Sequence, residues 1–209
     1  MKTRTSAVAL VGLLALAACG APAVPAVPAV PAAQGSTRPA SAAAAAPVAG
    51  DAAALLAQFG LAGKNAQQVV ESLDQDPRKR PLPLRASVRP DRLVLSDGTS
   101  EASLPLTGER SFYLSVAPYV TRTHDCFNHS LATCQGELAG RPVRVTITDS
   151  AGAVLVDADR TTYANGFVAF WLPRDVSGTI TVTADGRTGT VPFATKADSP
   201  TCITTLKLT

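Results

Sequence analysis

The sequence predicts a mainly β fold: an antiparallel, immunoglobulin-like sandwich preceded by a small N-terminal helical hairpin. Two observations carry this. From Arg92 onward, short alternating apolar runs recur about every ten residues, split by glycine turns, with no helical pattern between them. All ten aromatic residues lie between Phe59 and Phe193, which locates the core. Of 209 residues, 51–209 are the part expected to fold, enough for one good core.

The first element is an export signal, 1–18. Lys2 and Arg4 form a positive end, and Ala7–Ala15 an apolar one. The apolar run Ala7–Ala18 is 12 residues, against the roughly 20 a spanning helix needs, which excludes a transmembrane segment. The run ends in Leu16-Ala17-Ala18-Cys19-Gly20, which resembles a bacterial lipobox. That resemblance implies cleavage before Cys19, acylation of Cys19, and a protein anchored to the outer face of a bacterial membrane. An ordinary cleaved signal with an incidental cysteine is the alternative. Without Lys2 and Arg4 the chain has 17 basic against 16 acidic residues, net +1, so nucleic acid is not an expected partner.

Residues 19–50 read as a tether. Ala-Val-Pro repeats three times in Ala23–Pro31, a composition that buries little and prefers extended polyproline II. Its reach is on the order of 90 Å if fully extended.

The helical hairpin is assigned to 51–80. Leu55, Leu56 and Phe59 have helical spacing before Gly60. A second helix starts at Asn65, with Gln68 as its capping-box partner, and carries Val69, Val70 and Leu73 on one face. Gly60-Leu61-Ala62-Gly63-Lys64-Asn65 has the wrong spacing for a phosphate loop and no preceding strand. Arg78-Lys79-Arg80, with Arg85, Arg89 and Arg92 among prolines, reads as a solvated linker; contact with anionic head groups or cell-wall polymer is the sharper alternative.

The β-rich domain is assigned to 81–209. Ser96-Asp97-Gly98, Ser150-Ala151-Gly152, Asn165-Gly166 and Asp185-Gly186 punctuate runs at Leu93–Leu95, Ala102–Leu106, Phe112–Val120, Val143–Ile147, Val154–Val156, Phe167–Trp171, Ile180–Val182 and Val191–Phe193. Cys202–Thr209 closes the series.

Both histidines, His124 and His129, and two cysteines, Cys126 and Cys134, fall within eleven residues. Cys202 lies far along the chain, on the face that Thr204, Leu206 and Leu208 would share in a strand. There is no nucleophile elbow, His-Glu-x-x-His or Cys-x-x-Cys, so catalysis is not expected. Two readings stay open. Exported cysteines usually pair, and a disulfide to Cys202 with one spare thiol is the first. The second uses all three thiolates in a metal site, for which soft donors select Cu(I) or Zn(II); a Cys/His zinc site fits equally well. His124 and His129 are weaker candidates, because loop histidines are commonly just solvated.

Phe112-Tyr113-Leu114-Ser115-Val116-Ala117-Pro118-Tyr119, Thr123-His124-Asp125-Cys126-Phe127-Asn128-His129-Ser130, Thr133-Cys134-Gln135-Gly136-Glu137, Asn165-Gly166-Phe167, Trp171-Leu172-Pro173-Arg174-Asp175 and Thr201-Cys202-Ile203-Thr204-Thr205 together resemble the CueP family of periplasmic copper-binding proteins. The resemblance covers roughly 52–209. It implies a copper site at Cys126, Cys134 and Cys202, copper tolerance by sequestration, and transfer to exported cuproenzymes such as superoxide dismutase. It also implies, for some members, thiol-dependent reduction of Cu(II). The lipobox and tether depart from the soluble members of that family, and bear on whether the chain delivers copper by diffusion or guards a membrane surface.

Overall fold

The structure, a computed structural model, describes residues 50–209. The expected signal 1–18, the acylation site Cys19 and the tether up to Ala49 lie outside the described residues. Two helices come first, α1 (Gly50–Gln58) and α2 (Ala66–Asp74). The capping box forms as the sequence predicts: Gln68 N–H donates to Asn65 Oδ1 at 2.9 Å, and Asn65 N–H donates to Gln68 Oε1 at 3.0 Å.

Ten strands follow: β1 (Arg85–Val88), β2 (Arg92–Ser96), β3 (Glu101–Pro105), β4 (Phe112–Val116), β5 (Pro142–Asp149), β6 (Val154–Thr161), β7 (Val168–Leu172), β8 (Ser177–Ala184), β9 (Arg187–Ala194) and β10 (Cys202–Ile203). They divide into three sheets, in orders β1-β2-β3, β10-β4-β7 and β6-β5-β8-β9. The mainly β expectation holds. The immunoglobulin-like detail finds no confirmation, since a two-sheet sandwich has no counterpart to the third sheet, and β10 runs parallel to β4. The last strand is also shorter than its alternation suggests, ending at Ile203.

The turn chemistry reads through to the structure. Asp185 (φ 49°) and Gly186 (φ 76°) both sit in the left-handed region, the requirement of a two-residue hairpin turn that matches strand twist, here joining β8 to β9.

The central sheet β10-β4-β7 is covered on both faces. Phe112, Leu114 and Val116 of β4 and Val168, Phe170 and Leu172 of β7 pack with Val143, Val145, Ile147, Ile180 and Val182 of the four-stranded sheet. Tyr113, Ala169 and Trp171 point the other way, into a core shared by α1, α2 and β1–β3 through Leu55, Leu56, Val69, Val70, Leu93 and Leu95. Burial of each such large side chain stabilises the fold by about 1.5–3 kcal/mol. Trp171 also donates its indole N–H to Glu71 at 2.9 Å, tying β7 to α2. The helical hairpin is thus one wall of a core whose other walls are sheets.

The basic stretch behaves differently from a solvated linker at one residue. Arg80 is 6% exposed and donates to the carbonyls of Leu73, Asp74, Asp76 and Arg78 at 2.8–3.1 Å, satisfying the end of α2. Arg78 and Arg92 pair on the surface with Asp76 and Asp91.

Candidate metal centre

The loop after β4 holds four of the five cysteines and histidines among the described residues, and it is irregular but stitched on both sides. Val88 N–H donates to His129 O at 2.8 Å and Leu131 N–H to Ala86 O at 2.9 Å, so the loop runs along the edge of β1. On its other flank Thr201 and Cys202 donate their N–H groups to Phe127 O, and His129 N–H donates to Thr201 Oγ1 at 3.0 Å. The parallel pairing of β10 with β4, Cys202 opposite Ser115, brings the distant cysteine under the loop.

A glycine pair sets the third side. Gly136 N–H donates to Asn165 O at 2.7 Å, and a Cβ on Gly136 would lie 2.7 Å from Gly166 O. Gly166 itself has φ +82° and would meet Gly136 O at 2.5 Å. Only two glycines allow this approach of backbones, which seats Cys134 against Phe167. Glu137 then accepts from the N–H groups of Val120 at 2.7 Å and Thr121 at 3.0 Å, and from the Thr121 hydroxyl. The Thr121 hydroxyl first, then these amides, hold the Glu137 carboxyl down to about 2.

The three sequence-predicted cysteines come together. Cys134 and Cys202 are buried and Cys126 is half-buried, and all three are free thiols. They cluster with Ala117 and Phe167. Cys126 Sγ lies 3.5 Å from Cys134 Sγ, and Cys202 Sγ lies 3.7 Å from His129 Nδ1. Donor atoms of His124, Cys126 and Cys134 lie within 4.8 Å of one another, as do those of His129, Cys134 and Cys202. Cys134 belongs to both groups. The remaining expected site residue, Cys19, lies outside the described residues.

The two histidines differ. His129, expected as a surface-loop residue, is fully buried, its ring 4.5 Å from that of Phe167. His124 lines an open cleft of about 770 Å³ together with Cys126, Phe127 and Cys134, and its buried Nε2 has no hydrogen-bond partner in the protein. An imidazole with one nitrogen within 4.8 Å of two sulfurs, and with its Nε2 unpartnered, fits a metal-binding role.

Sequence reasoning missed Asp74. Its carboxylate is fully buried and accepts from His129 Nε2 at 2.9 Å, Asn165 Nδ2 at 2.7 Å and the Tyr113 hydroxyl at 2.8 Å. The legible signal was its position: four residues after Val70, it falls on the apolar face of α2.

Charge in the site follows from these contacts. Burial alone would raise the Asp74 pKa, but the charge and hydrogen bonds of His129, with Tyr113 and Asn165, hold it below its usual 3.8. Burial alone would lower that of His129, and Asp74 overrides it, raising it well above 6.5. The two face each other at 2.9 Å with no exposure to solvent. The neighbouring thiols, Cys126 first and then Cys202, with His129 adjacent, draw the Cys134 thiol pKa down. The neighbouring Cys126 and Cys134 thiols, with burial, push the Cys202 pKa up.

Fold and site together define a β-rich protein with a cluster of three thiols and two imidazoles, buried at His129, Cys134 and Cys202 and open to a cleft at His124 and Cys126, a donor set suited to a soft metal ion. The family model described as periplasmic copper-binding protein CueP matches residues 68–207, and the chain belongs to that family. It is also similar to a solved structure, the crystal structure of S.CueP, at 49% identity and a TM-score of 0.74, covering 78% of this chain and 100% of that one. No curated protein matches it. Among the described residues no helix is long and apolar enough to cross a membrane.

Proposed function

We propose that this protein is an exported, lipid-anchored copper-binding protein that sequesters Cu(I) through Cys126, Cys134 and Cys202, and passes it to exported cuproenzymes such as superoxide dismutase. The observation that carries the reading is the convergence of three thiols on Cys134, with His129 against Cys202 and His124 at the cleft. Thiolates prefer Cu(I), and membership of a copper-binding family favours copper over zinc for the same donors. Thiols lose their protons on binding the metal, so affinity should fall as pH drops. Anaerobic competition titration of the reduced chain against a Cu(I) chelator tests this: about one Cu(I) per chain is expected, and undiminished binding by a triple Cys→Ser variant would sink it.

The contact between Cys126 Sγ and Cys134 Sγ at 3.5 Å favours a second reading. Two thiols could reduce two Cu(II) ions to Cu(I), releasing two protons and closing one disulfide between them. Mixing the reduced protein with Cu(II) without oxygen separates the readings: thiol loss matched to Cu(I) formed supports reduction, and intact thiols refute it.

The anchor rests on Leu16-Ala17-Ala18-Cys19-Gly20. Cys19→Ser is expected to release the protein from the membrane fraction or leave it unprocessed, with copper affinity unchanged. A processed, membrane-bound Cys19→Ser protein would refute the lipobox reading.

A further inference from the structure

We infer that Asp74 is a positioning residue for the copper site: delivered by the end of α2, its carboxylate holds His129 Nε2 so that Nδ1 faces Cys202 and Cys134. The inference rests on the copper reading above and deepens it.

The placement of this carboxylate is costly on two counts. It has no exposure at all, and burying an ionised group is unfavourable unless it is paired and hydrogen-bonded. It is also the last residue of α2, where the helix dipole disfavours negative charge. Packing gives no reason for it, because its neighbours on that helix face are Val69, Val70 and Leu73, and an apolar side chain would join them. Hydrogen bonding alone does not require charge either, since an amide could accept from the Tyr113 hydroxyl.

What a carboxylate does here, and an amide does less well, is hold an imidazole N–H. His129 has both ring nitrogens committed: Nε2 at 2.9 Å from Asp74 Oδ1, and Nδ1 at 3.7 Å from Cys202 Sγ. A ring flip would trade Nδ1 for carbon at the sulfur cluster and break the Asp74 bond. Asn165 Nδ2 and the Tyr113 hydroxyl fix the carboxylate from the other sides, at 2.7 and 2.8 Å. A carboxylate behind a ligating histidine fixes ring orientation and raises ligand basicity. The helical hairpin then has a part in the site that its own sequence, free of cysteine and histidine, does not announce.

The test uses the full chain, reduced and anaerobic, with Cu(I) as the probe. Asp74→Asn is expected to weaken Cu(I) binding by about 10–100-fold. Tyr113→Phe removes a different hydrogen bond from the same carboxylate, leaves the contact to His129 Nε2 in place, and should weaken Cu(I) binding less than Asp74→Asn does. In a His129→Ala background, Asp74→Asn should add no more than about a twofold loss, because the coupling runs through His129. Nitrogen-15 NMR of the His129 ring gives a readout that general loosening does not move: Nε2 protonated in the metal-free and Cu(I)-loaded wild type, with Nδ1 taking the metal shift. That spectrum decides the matter should Asp74→Asn fail to fold. Wild-type affinity in Asp74→Asn, an equal loss in the His129→Ala background, or metal on Nε2 overturns the inference while the copper reading stands. A wild-type chain that binds no Cu(I) overturns both.

Discussion

Cys134→Ser is the perturbation that most directly probes the hub of the site. Cys134 is the residue common to both donor groups, 3.5 Å from Cys126 Sγ and within 4.8 Å of the donors of His129 and Cys202. The substitution exchanges a thiol for a slightly smaller hydroxyl at a side chain 8% exposed. The Ser130 N–H, which donates to Cys134 Sγ at 3.4 Å, remains available to the new oxygen. The cost to stability should therefore be about 1 kcal/mol, well below the 5–15 kcal/mol of a typical domain. Copper binding should lose far more. A hydroxyl is a poor ligand for Cu(I), and the two groups that remain, His124 with Cys126 and His129 with Cys202, no longer share a donor. A fall of at least 100-fold is expected, about 2.7 kcal/mol. The assay is anaerobic competition with a Cu(I) chelator, alongside urea unfolding of the metal-free protein. Cys126→Ser is the internal comparison, because Cys126 belongs to one group only and is half-buried. An affinity within threefold of wild type, or a larger loss in Cys126→Ser than in Cys134→Ser, would refute the assignment of Cys134 as the shared donor.

Three further outcomes follow from the packing around the site. Phe167→Ala empties a fully buried position against His129, Cys134 and Cys202, and should cost about 3–5 kcal/mol in denaturant unfolding. A cost below 1 kcal/mol would show that the floor of the site is not packed as described. Arg80→Ala removes the guanidinium that donates to the carbonyls of Leu73 and Asp74 in α2 and of Asp76 and Arg78 beyond it, and should cost about 2–4 kcal/mol by the same measurement. For Glu137 the folded pKa is depressed, so its stabilising contribution is complete above the ordinary 4.5 and is lost progressively as pH falls from there through about 2. Carbon-13 titration of its carboxyl should give a midpoint near 2; a midpoint near 4.5 contradicts the clamp on Val120 and Thr121.

Local signals were legible wherever a short window decides the structure. The capping box at Asn65 and Gln68, the Asp185-Gly186 hairpin and the period-two runs of β5 and β8 depend on neighbours within a few residues, and each formed. The clustering of His124, Cys126, His129 and Cys134 was visible for the same reason. Alternation failed to report sheet number. In β7, Val168, Phe170 and Leu172 face one core while Ala169 and Trp171 face another, so apolar residues on both faces carry no mark of which sheet they join.

By itself, then, the sequence determined a β-rich chain with a soft-donor loop, and its motifs carried the resemblance to a periplasmic copper-binding family. The tertiary structure alone decided what surrounds that loop. Cys202 reaches it through a parallel pairing with β4, and His129 is buried by β1 and β10 instead of lying in solvent. Asp74 meets partners 39, 55 and 91 residues away. Side chains that pair over such separations leave no local pattern. Burial, and the charge it forces a carboxylate and an imidazole to share, belongs to the packed chain and not to any stretch of it.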